Sequence, residues 1–116
     1  MIKIWKRSEI QEVLEQLPCT FKEIERGGDY DLPGFRVRPI GSQEWIDITP
    51  FKDPLEDPEL TGLDDVEVHS IELRTDGDCR GGLQSSNPNV CGLYAQIKCR
   101  LTQLGFRIIN TYEEIF

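Results

Sequence analysis

The sequence predicts one α+β domain over residues 1–116, built on a mostly antiparallel sheet with two main helices and a long acidic loop. Two stretches carry apolar residues at helical spacing: Ile10, Val13, Leu14 and Leu17 near the start, and Val90, Leu93, Tyr94, Ile97, Leu101 and Leu104 near the end. Between them lie alternating, strand-like runs bounded by Gly, Pro, Asn and Asp. A chain of 116 residues that is 38% hydrophobic and 29% charged has the length and apolar content of one globular domain.

Taken in order, Ser8 and Gln11 form a capping-box pattern, which predicts a helix from about Glu9 to Leu17 that stops at Pro18. Thr20 to Arg26 reads as a strand leading into the turn Gly27-Gly28-Asp29. Phe35 to Ile40 alternates, with Phe35, Val37 and Pro39 on one side. Gly41-Ser42 then turns the chain into Glu44 to Thr49, so a β-hairpin is expected, with Trp45, Ile46 and Ile48 as its candidates for the core. Pro50, Pro54, Pro58 and Gly62 predict an irregular loop from Pro50 to Asp65. Val66, Val68, Ile71 and Leu73 read as a strand whose alternation slips near His69 and Ser70, as at a bulge. Asp76-Gly77-Asp78 is a turn. Asn87 as N-cap and Pro88 as first residue open the second helix, Gly105 closes it, and Phe106 to Asn110 reads as a last strand.

No stretch approaches the roughly 20 apolar residues of a spanning helix, and Met1 to Lys6 leads into a charged helix rather than an apolar export signal. A cytoplasmic location is therefore expected. Cys19, Cys79, Cys91 and Cys99 then read as reduced thiols that pack, not as a disulfide framework, and they lack the short spacing of a zinc site. The single histidine, His69, has no evident nucleophile and orienting group around it, so no enzymatic activity is expected. The loop from Arg80 to Pro88 leads into a helix start, the layout of an anion site. It lacks the spacing of a phosphate loop and has Asp76 and Asp78 beside it.

Charge gives the main functional clue. The net charge is −8, which repels nucleic acid and anionic membranes and favours a cation or a basic protein. The excess sits in residues 44–78, where twelve acids face only Lys52 and Arg74, a local balance of −10. From Asp53 to Glu67 there are seven acids and no base. Close like charges repel by roughly 1 kcal/mol per pair in water, so such a loop is expected to need a compensating cation or basic partner, or else to stay mobile. Calcium suits it, because that ion accepts many carboxylate and carbonyl oxygens in flexible geometry. The candidate ligands are Asp53, Asp57, Glu59, Asp64 and Asp65 in the long loop, with Asp76 and Asp78 from a second one.

Neither Asp-x-Asp turn is an EF-hand. Asp76, Asp78 and Gly81 match three positions of that loop, but Arg80 takes a ligand position and Asn87 the place of the closing Glu. Asp29-Tyr30-Asp31 is interrupted by Pro33 in the same way. An acid run also serves as plain solvated surface, or as a face that docks on a basic partner in an interaction or inhibitor module.

The run Asp53-Pro54-Leu55-Glu56-Asp57-Pro58-Glu59, the pair Asp64-Asp65 and the turn Asp76-Gly77-Asp78, in a small acidic chain without an EF-hand, resemble the small acidic calcium-binding proteins of heterocyst-forming cyanobacteria. The resemblance implies a cytosolic, non-enzymatic calcium buffer or sensor that binds through non-contiguous acidic loops on an α+β domain.

Overall fold

A computed structural model describes residues 3–27, 32–51, 66–68, 70–75 and 88–109. The elements run β1 (Lys3–Trp5), α1 (Arg7–Glu15), β2 (Cys19–Gly27), β3 (Leu32–Pro39), β4 (Ile46–Phe51), β5 (Val66–Val68), β6 (Ser70–Thr75), α2 (Pro88–Gln103) and β7 (Ile108–Ile109). Strands β2-β3-β4-β6-β7 form a five-stranded sheet, while β1 and β5 form a separate antiparallel pair. The five-stranded sheet is antiparallel except at its last step, where β7 lies parallel to β6 after the α2 crossover. A parallel neighbour requires such a long return, and α2 supplies it. The fold is thus α+β with a mostly antiparallel sheet, as the alternation of helical and strand-like segments predicts.

Both helices cover one face. Ile10 and Leu14 of α1 and Val90, Leu93, Tyr94, Ile97 and Leu101 of α2 pack into one cluster with Phe35, Val37, Ile46, Ile48, Ile71 and Leu73 of the sheet. Trp5 joins them from β1 with no exposed surface, its ring 6.3 Å from Phe35 and stacked on it, while Phe21 meets Phe35 edge-on at 6.1 Å. The side chains of Arg100 and Gln16 join the two helices by a hydrogen bond.

Local chemistry explains the element ends, and in several places it differs from expectation. The Ser8 capping box does not form: α1 starts earlier, at Arg7, with Lys6 as an N-cap that makes no side-chain cap bond. The Lys6 carbonyl accepts from the amides of Glu9 and Ile10, because the helix start is set by Trp5, pinned in the core one residue upstream. At its other end α2 closes as expected. Gly105 has φ of +99°, and the amides of Phe106 and Gly105 donate to the carbonyls of Leu101 and Thr102, the double bond pattern of a Schellman cap.

Pro50 does not begin the loop but sits in β4 opposite Ile71. The β3 ladder reaches only as far as Ile48, so Pro50 lies where its missing N–H need not break a bond to β3. Of the three core candidates here, Ile46 and Ile48 are fully buried as expected, whereas Trp45 precedes β4 and lies outside the core cluster. The slip of alternation near His69 is a change of sheet rather than a bulge within one strand. β5 pairs with β1 and β6 pairs with β4, so the two stretches serve different partners. Gly34 in β3 is fixed by close approach: a Cβ there would lie 2.0 Å from the Ile48 carbonyl oxygen.

Candidate functional site

The seven candidate ligands, Asp53, Asp57, Glu59, Asp64, Asp65, Asp76 and Asp78, all lie outside the described residues, as do His69, Cys79 and the loop from Arg80 to Asn87. What the fold does define is where those segments are rooted. Residues 52–65 leave from Phe51, which is opposite Ser70, and re-enter at Val66, two residues before Val68 and close in sequence to that same Ser70. The acid-rich connection therefore starts at one end of the β4/β6 ladder and ends on β5, which pairs with β1 in the other sheet. Residue 76 follows Thr75, which lies opposite Ile46 at the other end. Five ladder steps of about 3.4 Å separate the two ends, roughly 17 Å.

The described residues also build a polar site that the sequence reading missed. On the sheet face away from the helices, register aligns Lys22, Arg36, Asp47 and Arg74 in one row across β2, β3, β4 and β6. The next row places Thr49 opposite Glu72. Asp47, Thr49, Ser70 and Glu72 are each only 1% exposed. Buried carboxylates need a partner, and Arg36 supplies one in bidentate form: its Nε donates to Asp47 Oδ1 at 2.8 Å and its Nη2 to Oδ2 at 3.1 Å. The guanidinium carbon also stands 4.2 Å above the Trp45 ring, a cation–π contact that holds the fork flat against the sheet.

The signal for this pair was present. A turn at Gly41-Ser42 fixes the hairpin register, and with Phe35 and Ile48 facing the core, Arg36 and Asp47 must meet on the opposite side. Arg36 is 26% exposed and Asp47 2%, so the carboxylate is used up inside the protein rather than offered to a ligand.

The chemistry open to the remaining described residues is limited. Burial pushes the Cys19 thiol above its ordinary pKa, and its Sγ–H donates to the Leu14 carbonyl at 3.4 Å, the opposite of an activated nucleophile. Cys19, Cys91 and Cys99 are free thiols. Among the described residues no group of three or more His, Cys, Asp or Glu is placed to hold a metal ion, and no helix is long and apolar enough to cross a membrane.

The fold and the Arg36–Asp47 pair define an α+β domain with a largely buried polar sheet face. No family model, curated protein or solved structure matches the chain.

Proposed function

We propose that this chain is a cytosolic, non-enzymatic calcium-binding protein, a buffer or sensor that takes the ion on acidic connections rather than on an EF-hand. The observation that supports this most is the separation of its acids into two kinds. Asp47 is buried and held by Arg36, whereas residues 52–65 carry six acids against the single base Lys52 in sequence. Asp53, Asp57, Glu59, Asp64 and Asp65 follow one another within thirteen residues of sequence, and a divalent cation with many oxygen ligands would relieve their mutual repulsion. Binding then stabilises the folded chain by mass action.

Asp76 and Asp78 follow Thr75, at the other end of the β4/β6 ladder, and would contribute from a second loop. Calorimetry of chelator-treated protein at physiological salt should give calcium-selective heat that magnesium does not reproduce. Replacing Asp64 and Asp65 by Asn should weaken that binding by at least about tenfold, equivalent to 1.4 kcal/mol. The Asp76→Asn, Asp78→Asn pair should weaken it by a smaller factor. Absence of heat, with an unchanged melting temperature, would rule calcium out and leave the acidic connection as a docking face for a basic partner.

A further inference from the structure

We propose that β1 and β5 form a releasable clasp, a unit that parts from the rest of the fold and draws Trp5 off Phe35 while the five-stranded sheet stays closed. Among the described residues the two strands pair only with each other, Lys3 with Val68, Ile4 with Glu67 and Trp5 with Val66. Three residues a side make a ladder of very few hydrogen bonds, and a two-stranded sheet of that size is marginal on its own. Burial holds it to the body, and on β1 that burial rests on one side chain. Trp5 has no exposed surface, whereas its neighbours Ile4 and Lys6 are exposed.

The anchor is itself imperfect. Trp5 stacks on Phe35 at 6.3 Å, but among the described residues no acceptor reaches its Nε1, a donor shut away from water. A buried N–H without an acceptor offsets part of what the ring gains by burial, so the closed state is held less firmly than a fully satisfied tryptophan would hold it. The connections suit opening as a unit. Lys6 alone separates β1 from α1, and it caps the helix without a side-chain bond that opening would break. Helix α1 keeps its own buried anchors, Ile10, Val13 and Leu14. On the other strand residue 69 alone separates β5 from β6, and β6 is held between β4 and β7. Opening therefore releases Val66, where the acid-rich stretch ends in sequence, and leaves Phe51, where it begins, on β4.

Native-state hydrogen exchange of the full chain, followed by NMR across low urea concentrations, tests this. The bonded amides of Lys3–Trp5 and Val66–Val68 and the Trp5 indole N–H should share one opening. That opening should be at least about tenfold more populated than the one that exposes the amides of Ile46–Phe51 and Ser70–Thr75, and should depend less on urea. Ile4→Gly, at an exposed position that leaves the core intact, should speed exchange of the clasp protons severalfold and leave the β4 and β6 amides unchanged. Exchange of all these protons through a single global opening would overturn the proposal. So would separate openings of β1 and β5, or an Ile4→Gly effect of equal size on β4 and β6.

Discussion

The two faces of the five-stranded sheet are buried by opposite means. On the helix side Phe35, Val37, Ile46, Ile48, Ile71 and Leu73 have no exposed surface and belong to one apolar cluster. On the other side Asp47, Thr49, Ser70 and Glu72 are almost as deeply buried, yet every one is polar. The first face gains stability from each methylene it removes from water, additively and without direction. The second gains little net free energy and is held by matched geometry, so what it fixes is register: Arg36 and Asp47 meet only when Phe35 pairs with Ile48.

Single and double substitutions should separate these two modes. Arg36→Ala removes one partner of a buried pair and leaves the Asp47 carboxylate without its fork, an expected loss of about 3 kcal/mol in a urea titration. Replacing Arg36 and Asp47 together by apolar residues of similar volume should recover most of it, because no uncompensated charge remains. Ile48→Ala on the helix side should cost about 2–5 kcal/mol through lost burial and a residual cavity, with no second substitution on β3 restoring it. If the double replacement were as damaging as Arg36→Ala alone, the pair would contribute net stability and the contrast between the faces would fail.

This contrast also accounts for what could be read from the sequence. The two helical stripes, the hairpin and the α+β class follow from periodicity, since each apolar spacing has one geometric solution. Pro50 was misplaced because a proline breaks a strand only where a ladder bond needs its N–H, and that depends on where β3 stops, a tertiary fact. Strand alternation cannot put both Trp45 and its neighbour Ile46 in the core; Ile46 takes that side and Trp45 meets Arg36 instead. β1 is three residues long and gains its strand identity only from β5, far along the chain, so no local pattern could announce it. The polar face escaped notice because Asp47 and Glu72 look like two more acids in a run of twelve, and burial distinguishes them only once four strands are aligned.

A smaller effect probes the helix-side face by pH. Cys19 begins β2, packs against the apolar cluster, and donates its thiol proton to Leu14. Burial there raises its pKa, because the thiolate would lose hydration without gaining a counter-charge. In the alkaline range the unfolded chain therefore releases this proton before the folded one does. The stability that the buried thiol contributes is complete below the unfolded pKa and falls as pH rises through the interval up to the folded pKa. Urea midpoints across that interval, under reducing conditions, should decline more steeply for the unmodified chain than for Cys19→Ala. In parallel, exposed Cys99 should be alkylated well before Cys19 at neutral pH. Equal slopes would mean that Cys19 is hydrated enough to ionise in place, and that the apolar face is open at the start of β2.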